Sequence, residues 1–322
     1  MKKKSLVLFL ITFICLIFAG CGNPEPTVYT GFYFDTFIEV KILDKADEDV
    51  INGMDELFKS YDALFSESSK DGILAKINSD ATEIELDEES AYLIGFMIDG
   101  ARETEGRYDP TIYGDTVLWD FSDSENGIVP DEEQINEALT HVGYDKISLE
   151  GTTLIKSDPE VKLSFGSVAK GYVADKTVEF LKENGINRAL INLGGNVYCL
   201  GKNTNGTAYN IGIKKPFSEN EIIDSITLMT VGTSVVTSGV YERYFEYDGV
   251  IYHHIFDTST GYPIDNGIYS VTVTGESSLI CDYLSTALFV TYGNDELFDN
   301  LRKKYSEYRI KIITSDYTIL KY

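Results

Sequence analysis

The chain has 322 residues, 43% of them hydrophobic, which is enough for one large domain or two closely packed ones. Its 52 acidic residues against 27 basic ones leave a formal charge of −25, which argues against nucleic acid or an anionic lipid surface as a partner. With four cysteines, no CxxC pair and three histidines, a His/Cys zinc site does not fit, and any metal is expected to be hard and oxygen-held, as Mg2+ or Ca2+.

Lys2, Lys3 and Lys4 precede an apolar run from Leu6 to Ala19, broken only by Thr12 and ending at Phe18-Ala19-Gly20-Cys21. This is the pattern of a secretory signal, and the run falls short of the ~20 residues of a membrane span. A Cys after Ala-Gly resembles the bacterial lipobox, with Phe18 where Leu is usual. The reading is a signal peptide over 1–20, a lipidated Cys21 and a polar tether over 21–30; an ordinary signal with a coincidental Cys is the alternative. Cleavage would remove three lysines and no acid, moving the charge from −25 to −28.

Residues 32–43 alternate as a strand, with Phe32, Phe34, Thr36, Ile38 and Val40 on one side. Val50, Met54, Leu57, Tyr61 and Leu64 recur at helical spacing and predict a helix over 46–65, with another over 88–105. A polar loop over 121–130 leads into a short helix at 131–140. Strands at 146–149 and 153–156 flank the Glu150-Gly151 turn. The clearest helix spans 166–185, entered through a Gly-containing turn and stopped at Gly185. Strands are expected at 188–193, 208–214, 225–231 and 234–237, then a hairpin over 241–255 turning at Asp248-Gly249. A strand at 268–274, helices at 279–292 and 295–304, and two terminal strands within 308–320 complete the chain. Strand pairs and helices mix without regular βαβ alternation, so the class is α+β.

Four segments carry candidate chemistry. Gly166-Ser167-Val168-Ala169-Lys170-Gly171 has the glycine spacing of a P-loop but continues with Tyr172-Val173 instead of Lys and Ser/Thr. It still offers backbone N–H groups and Lys170 to an anion at a helix start, or is simply a tight turn with a surface lysine. Such a spot matters because the acidic body repels a free nucleotide. Asp282 and Thr286 lie one helical turn apart with Ser285 beside them, a partial oxygen shell for Mg2+ or a capping Asp among buried small residues. His253-His254-Ile255-Phe256-Asp257 sets a histidine near a carboxylate, as a general base requires, although a structural His is the plainer reading. Neighbouring strand residues face opposite ways, so at most one of the two enters a given site. Thr237-Ser238-Gly239 ahead of Tyr241-Glu242-Arg243-Tyr244 offers small hydroxyls and an Arg among aromatics. Cys199 and Cys281 read as buried free thiols.

In order and spacing these segments resemble the ApbE family of FAD:protein FMN transferases. The resemblance runs through Tyr33-Phe34-Asp35-Thr36, Gly106 to Thr111, Gly166 to Asp175, Asn192-Leu193-Gly194-Gly195-Asn196, Thr237-Ser238-Gly239, His254 to Pro263 and Asp282 to Thr286. It implies an ApbE-like, T-fold-related α+β unit of mixed sheets and packed helices, a single bi-lobed catalytic body over 31–322. By the same resemblance Phe34 lines the flavin pocket, Arg107, Tyr108, Asp109, Ser164 and Lys170 hold FAD, and Phe256 packs on it. Asp282 and Thr286 ligate Mg2+ with Ser167 and Ser285, and His254 and Asp282 are catalytic. The Gly194-Gly195 and Ser238-Gly239 turns let backbone approach the ligand. Ser164 stands where many members have Asp, no aromatic stands near Ser68, and the Trp119-Asp120-Phe121 region matches loosely. The implied activity is Mg2+-dependent transfer of FMN from FAD to a Thr or Ser hydroxyl, releasing AMP. The implied acceptor is an extracytoplasmic redox protein or a membrane electron-transfer subunit, met by an enzyme lipid-anchored at the outer face of the bacterial cell membrane. Competing readings are an FAD pyrophosphatase using water and a non-catalytic flavin-binding lipoprotein, which would have no use for Asp282, Thr286 and His254.

Overall fold

The computed structural model describes residues 25–70, 72–121 and 127–322. The signal peptide, Cys21, the start of the tether and residues 122–126 of the expected loop lie outside the described residues.

Strand β1 (Thr27–Tyr33) folds back as β2 (Thr36–Ile42), so the single strand expected over 32–43 is a hairpin. Its turn residues Phe34 and Asp35 sit at φ 54° and 55°, a left-handed pair without glycine. Alternation passes through the turn unbroken, which is why the pattern reads as one strand. The Phe34 N–H donates to Asp62 Oδ1 at 2.7 Å and anchors the turn. Asp62 belongs to helix α1 (Glu48–Phe65), which Asp47 caps by accepting from the Val50 N–H. Val50, Met54, Phe58, Tyr61 and Phe65 form its buried face. Burying Met54 and Phe58 alone contributes about 1.5–3 kcal/mol each.

Helix α2 (Ile73–Ile77), strand β3 (Glu83–Glu85) and helix α3 (Glu88–Glu103) follow. The single turn α4 (Tyr113–Thr116) leads to α5 (Glu132–Thr140), which opens with a capping box between Asp131 and Gln134. Strands β4 (Ile147–Glu150) and β5 (Thr153–Lys156) complete a small sheet in the order β3-β5-β4. Helix α6 (Ala169–Glu183) is followed by β6 (Ala189–Leu193) and β7 (Asn196–Leu200). Gly194 and Gly195, at φ 60° and 94°, reverse the chain between them, and β7 is a strand absent from the sequence expectations. Then come β8 (Asn210–Lys214), β9 (Ile222–Thr227) and β10 (Thr233–Gly239). The hairpin β11 (Tyr244–Tyr247) and β12 (Val250–His253) turns at Asp248-Gly249 as expected. Strands β13 (Phe256–Asp257), β14 (Tyr262–Pro263) and β15 (Ile268–Gly275), helices α7 (Ser278–Thr291) and α8 (Asp295–Lys304), and strands β16 (Arg309–Thr314) and β17 (Ile319–Lys321) close the chain.

Eight strands form one antiparallel sheet in the order β1-β2-β6-β7-β10-β15-β16-β17. Helix α7 packs on β10 and β15, α6 packs on α7, and α1 packs on α6. The β8–β9 hairpin covers the middle of the other face through Ile213 and Ile226 over Cys199, Val235 and Ile313. The expected α+β class holds. Cys199 and Cys281 are buried free thiols, and burial pushes both pKa values up. Among the described residues no helix is long and apolar enough to cross a membrane.

Candidate active site

The site is made where α6 and α7 come closest. Asp175 on α6 accepts from the Ser277 hydroxyl and from the Ser278 and Leu279 N–H groups, so its charge clamps the N-terminus of α7. Gly171, one turn earlier on α6, makes the contact. A Cβ there would lie 2.4 Å from Ser278 O and 2.7 Å from Asp282 Cβ. Only glycine admits the approach, and its N–H, one of the unpaired donors of a helix start, donates to Asp282 Oδ2 at 2.8 Å.

Asp282 is therefore not a cap; Ser277 is. Its side chain is 5% exposed in mid-helix. Burial raises its pKa, while the Lys170 charge, the Gly171 N–H and the Asn196 amide oppose the shift. Hydroxyls gather beside it. Ser285 Oγ donates to Asp282 O at 2.9 Å, and Ser238 Oγ, from the end of β10, lies 2.7 Å from Ser285 Oγ and 3.0 Å from Thr286 Oγ1. Ser167 Oγ, just before α6, is 2.8 Å from Tyr108 OH, and the Tyr108 ring stands edge-on to Tyr283 at 5.1 Å. The Asp282 charge in turn raises the Tyr108 pKa, after the larger effect of burial.

The two histidines diverge, as strand geometry requires. His253 is buried, its Nε2 facing Ile264 O at 3.1 Å and its Nδ1 accepting from the Ile255 N–H, which makes it structural. His254 is half-buried, with Nδ1 3.1 Å from Arg243 O. A carbonyl can only accept, so Nδ1 carries the proton and Nε2 presents its lone pair. Desolvation first, then the Arg243 charge, hold the His254 pKa down to about 3, with Lys170 adding to the effect. Lys170 also acts on Asp282 and on Glu242, so a carboxylate, an ammonium and a neutral imidazole share one region.

The remaining predicted residues divide. Phe34 is buried at the hairpin turn and Arg107 is exposed. Ser164 Oγ donates to Glu67 Oε1 at 2.5 Å and accepts from the Gly166 N–H. Asp109 is buried, and both of its carboxylate oxygens accept from protein donors. Its Oδ1 accepts from the Thr111 N–H and hydroxyl, and its Oδ2 accepts from the Tyr144 N–H. Tyr108 is buried with its hydroxyl on Ser167, so it braces a candidate metal donor. Phe256 is buried in a separate aromatic cluster, edge-on to Trp119 at 5.6 Å. Sequence reasoning missed Asp175, Asn196 and Glu67 as parts of the site. Asp175 had a signal, being four residues from Gly171 on the same helix face. Glu67, which is 97 residues from Ser164, had none.

A family model described as the ApbE family matches residues 34–309. A Vibrio cholerae FAD:protein FMN transferase is 30% identical, with 85% of this chain and 84% of the relative covered. A Haemophilus influenzae protein of the same description is 30% identical over 94% and 91%. The crystal structure of the ApbE protein from Thermotoga maritima superimposes with a TM-score of 0.81 at 32% identity, covering 92% of this chain and 97% of that one. The flavin transferase ApbE from Vibrio cholerae gives 0.80 at 26%, covering 92% and 96%. The family match over residues 34–309, relatives 30% identical over most of their length and the shared fold agree that this protein belongs to the ApbE family.

Proposed function

We propose that this enzyme transfers FMN from FAD to a hydroxyl of an acceptor protein, with Mg2+ held at Asp282. The observation that carries the reading is the Gly171–Asp282 contact, which joins the Lys170 turn at the start of α6 to the hydroxyl face of α7. The donors suit such an ion. One buried carboxylate, disfavoured as an anion by burial, stands among hydroxyls, and all the donors are oxygen. Among the described residues no group of three His, Cys, Asp or Glu side chains offers a different metal site. Asp282 and Thr286 would hold the ion, with Ser167 and Ser285 completing the set. Bound there, Mg2+ supplies charge that polarises a phosphoryl oxygen and offsets the negative charge of the departing group.

The chain's own residues do the rest. Lys170, at the start of α6, meets the pyrophosphate as a point charge, while the N–H groups of Gly166, Val168 and Ala169 are taken up within the turn. A Thr or Ser hydroxyl of the acceptor attacks the FMN phosphorus, and the bond from that phosphorus to the bridging oxygen breaks. AMP leaves with the bonding pair, and His254 Nε2 takes the hydroxyl proton. The acceptor is left with FMN in phosphoester linkage. The Lys2–Cys21 pattern supports lipid anchoring on the outer face of the cell membrane, where an extracytoplasmic redox protein or a membrane electron-transfer subunit would be the acceptor.

The test uses protein lacking residues 1–21, incubated with FAD, Mg2+ and an acceptor domain bearing a Thr site. The expected result is an FMN-sized mass gain on the acceptor, abolished by EDTA and reduced roughly 10²–10⁴-fold in His254→Ala. Free FMN and AMP beside an unmodified acceptor would replace transfer by hydrolysis of FAD. Intact FAD would leave a flavin carrier.

A further inference from the structure

Lys156, the last residue of β5, is 2% exposed and takes no part in the site described above. Its ammonium lies within hydrogen-bond distance of four backbone carbonyls: Ile77 O at 3.0 Å, Ser79 O at 2.7 Å, Pro159 O at 2.8 Å and Val161 O at 3.0 Å. Four oxygens exceed the three hydrogens of an ammonium, so the arrangement is a carbonyl shell around a positive charge. Carbonyl shells of this kind replace the hydration of potassium-sized ions. One of the carbonyls is that of Ile77, the last residue of α2, where helix carbonyls lack helical partners; one is that of Ser79, just past the C-cap Asn78; and two belong to the loop after β5. The Asn78 side chain makes a second tie, donating to Leu163 O at 3.0 Å and accepting from the Leu163 N–H at 2.8 Å. The next residue, Ser164, opens the turn that carries Ser167 and Lys170.

We propose that Lys156 is a positioning residue whose ammonium fills a carbonyl cage that fixes the approach to the Ser164–Lys170 turn. The same cage is a site for a free monovalent cation of ammonium or potassium size once the side chain is cut back. The positioning half rests on FAD being the ligand of that turn, whereas the cation half does not. A neutral side chain of similar length would take the ammonium from four carbonyls, two of them on the buried Ile77 and Val161, and would also block the space, so Lys156→Met and Lys156→Ala should behave differently.

The experiment compares both variants in the full-length chain at constant ionic strength in KCl, NH4Cl, LiCl and choline chloride. Thermal unfolding and FAD affinity by flavin fluorescence are read together. Lys156→Ala is expected to unfold about 5–10 °C lower in LiCl or choline chloride and to recover most of this in KCl or NH4Cl. Its FAD dissociation constant should rise roughly tenfold and recover in the same salts. Lys156→Met should be impaired in all four. Ion-insensitive loss in Lys156→Ala, or no loss at all, overturns the cation site. Lost stability with unchanged FAD affinity overturns the positioning role. FAD binding absent from the unmodified chain as well would instead strike the proposed function and leave the unfolding comparison to decide the cage. Where Lys156→Ala does not fold in LiCl, its refolding yield from urea in NH4Cl against LiCl makes the same discrimination, equal yields overturning the site.

Discussion

Asp282 and Asp115 are both buried aspartates, and their surroundings give them opposite chemistry. Asp282 sits between two helices with a backbone N–H on one oxygen, a lysine within electrostatic reach and hydroxyls around it. Asp115, on α4, is fully buried beside Trp119 and Ile135, and among the described residues neither of its oxygens makes a hydrogen bond of ordinary geometry, the Trp119 indole being the one donor that acts on it. Gly261 backs against it so closely that a Cβ would come 3.1 Å from Asp115 Oδ1. Burial raises the Asp115 pKa to about 7, opposed only by the Trp119 indole. Burial acts on both carboxyls in the same direction. Donors and a cation oppose part of that shift at Asp282, whereas Asp115 has only the Trp119 indole to oppose it and stays a neutral acid over much of the acid-to-neutral range.

The same Asp→Asn change should therefore do opposite things. Asp282→Asn should lower Mg2+-dependent flavin transfer by about 10³-fold, because the ion's charge stabilisation is worth several kcal/mol. Single-turnover rates check this, and activity within tenfold of the unchanged protein would remove Asp282 from the metal site. Asp115→Asn should stabilise the fold in a pH-dependent way. The folded pKa is about 7 against 3.8 in the unfolded chain, so ionisation costs nothing below pH 4, costs progressively more from pH 4 to 7, and levels off above. The substitution should gain about 2–4 kcal/mol at pH 8 and almost nothing at pH 4, followed by urea unfolding with Trp119, the sole tryptophan, as the probe. Equal gains at both pH values would break the contrast between the two sites.

Gly171→Ala tests the helix contact itself. The methyl group meets backbone from α7, so a cost of about 1–3 kcal/mol and a raised Mg2+ requirement are expected together. A stability loss without a change in Mg2+ dependence would separate packing from the site. The smallest effect belongs to Ser238→Ala, which removes a hydroxyl bridging Ser285 and Thr286 at about 1 kcal/mol. Its signature is a few-fold weaker Mg2+ activation with the unfolding midpoint lowered by only about 2–4 °C.

Much of this was legible in local pattern. The 295–304 helix, the Asp248-Gly249 hairpin and the short helix near 131–140 follow from caps and turn residues that act within a few positions. Phe34-Asp35 misled because a non-glycine turn leaves the alternation intact. The shared face of Asp282, Ser285 and Thr286 was readable from helical spacing, and the divergence of His253 from His254 from strand parity. Asp109 was not readable in the same way, because what occupies its carboxylate is Tyr144, 35 residues away, as well as neighbouring Thr111.

The sequence by itself determined the α+β class, the family segments and which side chains share one face of an element, because periodicity and turn chemistry are local. Only the tertiary structure decided which of those faces meet. The Gly171 N–H reaches Asp282 across 111 residues and Ser238 reaches Thr286 across 48, and such contacts depend on how closely non-local surfaces pack. The same packing set the two aspartates apart, since a carboxyl's charge state follows from the groups that surround it in space.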